Sequence, residues 1–344
     1  MSTRTRFAPS PTGSLHVGNA LAAVVNRNAA DTLLLRIDDT DPARNVPGGV
    51  DTIVRDLRWL GVEWEEGPLR QSDRAARYEE VAELLVARGI AYRAGDGTLR
   101  ARWEHDPTLL RADGSATYLL ASAVDDADFE ISHVIRGKDL AATTAFQQLV
   151  IRELEEEVPE FVHHGLIVGI DGHKLSKRDA LSSLAELRDA GIPGEAVRRY
   201  LEELGLPRHD VQYDAERIRR LSLETIEALS DEELAERLGV DAGVVPAVRG
   251  AHDLVEAAAL ARAILDAEPG RVDETARPTL ARLRELVEAN GADAKSLVRE
   301  LKAVGGDLKA VRIALTGRDK GPALWTVLQA LPRDEIIRRV DAAL

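Results

Sequence analysis

Residues 4–37 read RTRFAPSPTGSLHVGNALAAVVNRNAADTLLLRI. Arg4 to Ala8 is short and strand-like, and it runs into the turn-rich Pro9-Ser-Pro-Thr-Gly13, where Pro and Gly punctuate the chain. Leu15 to Ala30 then has helical spacing. Thr32 to Ile37 (TLLLRI) is a continuous apolar run of the kind that a parallel strand buried on both faces requires. Strand, helix and strand in 34 residues is the opening unit of a parallel α/β sheet.

The pattern repeats outward from there. Val50 to Leu60 predicts a second helix closed by Gly61, and Arg74 to Arg88 a third closed by Gly89. Phe129 to Ile135 and Leu166 to Gly169 read as further strands, with a helix from Thr143 to Glu157 between them. This alternation predicts a Rossmann-type, doubly wound parallel sheet. From Leu184 onward strand-like runs disappear and helices follow one another between Gly and Pro breaks, so the second half is expected to be all-α. The boundaries expected are residues 1–183 for the α/β domain, 184–240 for a helical connecting domain and 241–344 for a terminal helical domain.

Bulk properties fit that organisation. A chain of 344 residues, 44% hydrophobic and 30% charged, suits two or three globular domains. Without cysteine it can form neither a disulfide nor a thiolate zinc site. The N-terminus has no apolar signal segment, and no stretch approaches the roughly 18 apolar residues of a membrane span, so a cytoplasmic location is expected. A net charge of −14 argues against a surface coated for nonspecific nucleic-acid binding. Local clusters at Arg198–Arg199, Arg217–Arg219–Arg220 and Lys309 to Lys320 could each face phosphate. Each also reads as the solvated side of a helix, the commoner case.

Two segments carry chemistry. In the first, the Pro/Gly turn leaves backbone N–H groups and a helix N-terminus free to hold an anion. His16 and Asn19 lie one helical turn apart, and Gly18 permits close approach of a nucleotide. In isolation this is an ordinary strand–helix turn. The second is Gly169-Ile-Asp-Gly-His-Lys-Leu-Ser-Lys-Arg-Asp179, where Lys174, Lys177 and Arg178 crowd a glycine-bracketed loop after a strand. Such a loop can meet charge that grows on a phosphate; taken alone it reads equally well as a basic turn.

Together, and in this order, the two segments resemble the signatures of the glutamyl-tRNA synthetases. His16-Val-Gly-Asn19 is similar to the HIGH-type motif of these class I enzymes, and Lys174-Leu-Ser-Lys-Arg178 to their KMSKS-type motif. The likeness continues through Leu35-Arg-Ile-Asp-Asp-Thr-Asp41, Arg58-Trp-Leu-Gly61, Glu66-Gly-Pro68, Gln71-Ser72, Ala116-Thr-Tyr118, Val124-Asp-Asp126 and His133-Val-Ile-Arg-Gly137. It ends with Val311-Arg-Ile-Ala-Leu-Thr-Gly-Arg318, similar to part of the family's anticodon-binding region.

The resemblance implies a class I catalytic domain, ATP with Mg2+, and a two-step ligation of glutamate to tRNA through glutamyl-adenylate. It implies catalytic roles for His16, Asn19, Lys174 and Lys177, and ATP binding by His16, Gly18 and Lys177. It places glutamate against Arg6, Ala8, Ser10, Asp38, Tyr118 and Arg136. Two arginines suit two carboxylates, because each guanidinium offers bidentate, charge-assisted pairing. No general base is needed for activation, since the attacking carboxylate is already ionised.

Three departures accompany the resemblance. Asp38 stands where the family has a glutamate, one methylene longer, for the substrate ammonium. Lys138 and Leu140 replace an acidic and an aromatic residue beside Arg136. The family's acceptor-stem domain between Tyr92 and Arg111 is reduced to AGDGTLRARWEHDPTLL, and no zinc is expected there. The shortened segment leaves open an adenylating paralogue with a non-tRNA acceptor, and a catalytically silent regulatory paralogue.

Overall fold

The computed structural model describes residues 2–173, 175, 181–289 and 293–343. The chain divides into two compact units, Met1–Asp189 with Val197–Ala215, and Ala190–Ala196 with Glu216–Leu344.

In the first unit β1 (Arg4–Phe7) and β2 (Thr32–Ile37) are parallel, with Arg4 opposite Thr32 and Phe7 opposite Leu35. Helix α1 (Val17–Ala29) makes the crossover. Leu33 to Ile37 are all buried, as the unbroken apolar run predicts. After α2 (Gly49–Trp59), β3 (Glu66–Arg70) adds to β2 in parallel. On the other flank β7 (His133–Gly137) pairs in parallel with β8 (Glu160–His164). The start of β7 is tied to β1, where Ser132 N–H donates to Arg4 O at 3.0 Å and Arg4 N–H to the Ser132 hydroxyl at 2.8 Å. The parallel, doubly wound architecture expected from the sequence is therefore present.

Strand boundaries differ in instructive ways. The run expected as a strand from Phe129 begins as one only at His133. Phe129 instead ends α4 (Tyr118–Asp128), and Glu130 turns the chain with a φ of 52°. The helix expected from Thr143 to Glu157 is α5 (Thr144–Glu153). Between α3 (Ala75–Ala87) and α4 the chain forms an antiparallel sheet of β4 (Ala91–Arg93), β5 (Leu99–Ala101) and β6 (Thr108–Leu110). Leu99, Leu109 and Leu110 of this sheet join Tyr78, Leu85, Leu120, Phe146 and Val150 in one core. The expectation that strands end before Leu184 is corrected by a two-residue strand: β9 (Ile167–Val168) pairs in parallel with β10 (Val211–Gln212). Two residues leave no periodicity to read. The approach is tight, since a Cβ on Gly165 would lie 2.0 Å from the His209 carbonyl oxygen. Helix α6 (Leu184–Asp189) and most of α7 (Gly194–Leu204) belong to the same unit.

The second unit is helical, from α8 (Ala215–Ala228) and α9 (Asp231–Leu238) through α10 (Val245–Val248) and α11 (Leu254–Leu265). It continues with α12 (Arg277–Glu288), α13 (Ala294–Ala303), α14 (Leu308–Thr316), α15 (Leu324–Ala330) and α16 (Arg333–Ala343). Its core gathers Ile226, Leu234, Val248, Ile264, Leu283, Val311, Leu315, Val327 and Val340. Helix starts are capped by side chains that answer otherwise unpaired N–H groups: Ser230 in a capping box with Glu233, then Asp253, Asp293 and Asp307. Arg339, 1% exposed, donates from Nη1 to Ile264 O at 2.8 Å and Leu315 O at 2.7 Å, and from Nη2 to Leu265 O at 2.7 Å. One guanidinium thus satisfies the carboxyl ends of α11 and α14. No described helix is long and apolar enough to cross a membrane.

Candidate active site

The carboxyl ends of β1, β2, β7 and β8, with the start of β9, surround a cavity of about 500 Å³, where open parallel sheets bind ligands. The turn after β1 leads into α1, whose N-cap is His16. Its backbone is extended and its side chain caps nothing, leaving the helix N-terminus without a side-chain acceptor. Gly18 lines the cavity, and a Cβ built there meets nothing within 4 Å. Packing does not demand glycine at this position; its effect is to keep the space beside the helix N-terminus open.

At the ends of β1 and β2 lies a buried charge network. Arg6 donates from Nε to Asp126 Oδ1 at 3.0 Å, and Arg36 donates from Nη1 to the same oxygen at 2.8 Å. Arg36 also grips Asp38, Nε to Oδ1 at 2.8 Å and Nη2 to Oδ2 at 3.3 Å. Asp125, beside Asp126 on α4, accepts from Gln71 Nε2, Arg74 Nε and the Tyr78 hydroxyl at 2.8, 2.8 and 2.9 Å. Burial pushes the Asp38 carboxyl up to about 6, because desolvation outweighs the Arg36 pairing. Burial likewise raises the Asp125 carboxyl.

Arg136, at the end of β7, has a different environment. Its Nη1 donates to the Tyr118 hydroxyl at 3.1 Å and Gln147 Oε1 at 2.8 Å. Its Nη2 donates to the Thr143 and Thr144 hydroxyls at 3.1 and 2.9 Å, and Nε meets His163 Nε2 at 3.4 Å. All five N–H groups are oriented, yet every acceptor is neutral. Among the described residues no carboxylate pairs with it, although it is only 4% exposed. Burial accordingly lowers the guanidinium's pKa. Burial, then the adjacent Arg136 charge, lowers that of His163 and favours the neutral imidazole.

The cavity also collects unpaired polar atoms. Four buried side-chain atoms lack a partner among the described residues: His16 Nδ1, Asn26 Oδ1, Gln71 Oε1 and His164 Nε2. All four residues line this cavity. Leaving one such group unpaired costs about 1–3 kcal/mol, so their concentration here marks a place built for a polar ligand.

Of the residues singled out from the sequence, Arg6, Ala8, Ser10, His16, Gly18, Asn19, Asp38, Tyr118 and Arg136 all line the cavity, as does Leu140. Lys174 and Lys177 lie outside the described residues. Lys138 is not among the lining residues and pairs with Asp210 at 2.9 Å. The sequence reading assigned no role to Arg36, Asp125, Asp126, Gln71, Asn26 or His164. The adjacent acids Asp125 and Asp126 in the otherwise apolar YLLASAV run of α4 were the available signal. Several cations of the clusters that could face phosphate or simply solvate a helix are paired locally: Arg198 with Glu202 at 2.9 Å, Arg217 with Glu224 at 3.5 Å and Arg219 with Glu216 at 2.7 Å.

Comparison with known proteins gives the family and the fold. Residues 2–100 and 96–233 match the family described as tRNA synthetases class I (E and Q), catalytic domain. Glutamate–tRNA ligase 1 of Rubrobacter xylanophilus is 33% identical over 421 aligned positions, covering 99% of this chain and 98% of the relative. A Synechococcus glutamate–tRNA ligase is 32% identical over 479 positions, covering 99% of this chain and all of the relative. Both alignments exceed the 344 residues present, so the relatives carry segments that this chain lacks. The crystal structure of a glutamate tRNA ligase from Elizabethkingia meningosepticum, in complex with its amino acid, superposes with a TM-score of 0.74 at 22% identity, covering 100% of this chain and 99% of that one. Fold, cavity and full-length likeness lead to one assignment: the chain belongs to the class I tRNA synthetases, in the group that comprises the E and Q enzymes.

Proposed function

We propose that the chain is a glutamate–tRNA ligase. The observation that carries the reading is Arg136, a buried guanidinium oriented by five neutral acceptors and matched, among the described residues, by no carboxylate. A buried cation without a counter-charge calls for an anionic ligand. Glutamate supplies one carboxylate for this charge and a second for the reaction.

In the first step an α-carboxylate oxygen of glutamate attacks the α-phosphorus of ATP. An O–P bond forms, the bond to the bridging oxygen breaks, and pyrophosphate leaves. His16, Gly18 and Asn19 at the start of α1 suit the phosphates and ribose, and Asp38 with Tyr118 suits the ammonium end of the amino acid. Lys174 and Lys177 are proposed from their motif as the cations that meet charge on the α-phosphate. In the second step a terminal ribose hydroxyl of tRNA attacks the adenylate carbonyl carbon and AMP leaves. Among the described residues no group of three or more His, Asp or Glu side chains could hold a metal. A Mg2+ that accompanies ATP would take phosphate and water oxygens.

We further propose that residues 1–183 form the adenylate, while the helical residues 184–240 and 241–344 hold the RNA in a cytoplasmic setting. The short stretch between Tyr92 and Arg111, which folds into the small β4–β6 sheet and which the family resemblance reads as a reduced acceptor-stem domain, is the feature that favours a smaller acceptor. Incubating the protein with ATP, labelled glutamate and total tRNA tests the proposal. Label in acid-precipitable, RNase-sensitive material is expected. Adenylate formation without tRNA labelling would move the acceptor to a small molecule, and neither product would overturn the proposal.

A further inference from the structure

The family motifs and the network around Arg6 and Arg136 leave His164 unexplained. His164 closes β8, is 3% exposed and lines the cavity. Its Nδ1 lies 2.8 Å from Gly165 O. A carbonyl only accepts, so Nδ1 carries the proton, and in the neutral imidazole Nε2 is left as a bare acceptor. That Nε2 is buried and has no partner among the described residues. The neighbouring Gly165 backbone packs so closely on His209 that a Cβ there would collide, which fixes the strand end that carries His164. Positions 163 and 164 alternate across the strand: His163 turns to Arg136 and Thr144, whereas His164 makes neither contact.

We infer that His164 is a nucleotide-binding residue whose Nε2 accepts a hydrogen bond from an N–H or O–H of the adenosine moiety of ATP. The inference rests on the adenylate-forming reading above. The cavity's remaining lining decides which end of the ligand His164 meets. Arg6, Asp38, Tyr118 and Arg136 supply the charges and hydroxyl that an amino acid needs. Leu166, Ile167 and Leu175, the residues that follow His164, contribute an apolar wall suited to a flat base. Adenosine has three donors to offer such an acceptor: two ribose hydroxyls and the exocyclic amine. ATP then fills a hydrogen-bonding vacancy that the free protein tolerates at a cost, so this bond discriminates for nucleotide more than a surface contact would.

The test uses two isosteric variants of the full chain. In His164→Asn the amide can still donate to Gly165 O, but nothing remains at the Nε2 position. In His164→Gln an amide oxygen can occupy the Nε2 position while the bond to Gly165 is lost. Equilibrium titration with ATP should show His164→Asn binding about three- to tenfold more weakly than wild type, the worth of one neutral hydrogen bond, with His164→Gln nearer to wild type. Thermal melting should rank the two in the opposite order, since only His164→Gln surrenders the Gly165 bond. Repeating the titration with 2′-deoxy-ATP, 3′-deoxy-ATP and inosine triphosphate identifies the donor as the group whose removal abolishes the His164→Asn effect. Unchanged ATP affinity in His164→Asn, or an effect on glutamate affinity in place of ATP, would overturn the inference while leaving the proposed function standing. A wild-type protein that does not bind ATP would overturn both.

Discussion

Arg6 and Arg136 are equally buried at 4% exposure but electrically unlike: Arg6 meets Asp126 at 3.0 Å, whereas Arg136 meets only neutral acceptors among the described residues. The symmetrical expectation of one arginine for each substrate carboxylate therefore gives way to an unequal pair. Arg6 shares Asp126 with Arg36, and Arg136 holds the uncompensated charge.

Replacing Arg136 by Gln should accordingly raise the KM for glutamate about 10- to 100-fold, the range for losing a charge-assisted hydrogen bond of roughly 1.5–3 kcal/mol. The KM for ATP should change little. Initial rates of ATP–pyrophosphate exchange measure both constants. An unaltered glutamate KM would remove Arg136 from the binding site.

Asp126 is predicted to matter for folding before it matters for substrate. Asp126→Asn leaves two buried guanidiniums, Arg6 and Arg36, short of the carboxylate that both contact through Oδ1. Breaking a buried pair in this way costs about 3–5 kcal/mol. Urea denaturation should show that loss; a stability within about 1 kcal/mol of wild type would mean the network is locally compensated.

The acid range reports on Asp38. Its folded-state carboxyl titrates at about 6 against an ordinary 3.8, so the folded chain binds this proton more tightly than the unfolded chain does. Stability from this group is then full below about pH 4 and is lost as pH rises through about 6. In Asp38→Asn that loss is absent. The variant should gain on wild type between pH 4 and 6, by on the order of 3 kcal/mol, and the difference between the two should stay constant above. Parallel urea curves at pH 4.5, 5.5 and 7 decide it: a difference that does not vary with pH contradicts the assignment.

In the helical unit, Arg339→Met should destabilise by about 2–4 kcal/mol, because Ile264, Leu265 and Leu315 would each lose their guanidinium donor at a helix end. Thermal unfolding followed by circular dichroism would reveal it. A melting temperature equal to that of wild type would mean water replaces the guanidinium.

How much of this was legible beforehand depends on the length scale of the signal. Thr32–Ile37 was readable to the residue because a strand buried on both faces leaves an unbroken apolar run. The three-residue strands β4, β5 and β6 and the two-residue β10 were not, since alternation needs more residues than they have. Cavity residues that the family resemblance names, such as His16, Gly18 and Asp38, do line the cavity. Charge compensation was not legible. Arg6 and Asp126 are 120 positions apart, and nothing local to Arg136 reveals that its acceptors are Tyr118, Gln147, Thr143 and Thr144. The unpaired His164 was hidden for the same reason, as an orphaned atom is defined by what the fold fails to bring to it.

The most direct test of the account is ATP–pyrophosphate exchange by the purified protein with each of the twenty amino acids, run with and without total tRNA. Exchange that depends on glutamate, with glutamine at least about tenfold poorer because a neutral amide leaves Arg136 uncompensated, is the predicted result. Exchange supported better by glutamine or by an apolar amino acid, or by none of the twenty under either condition, would contradict it.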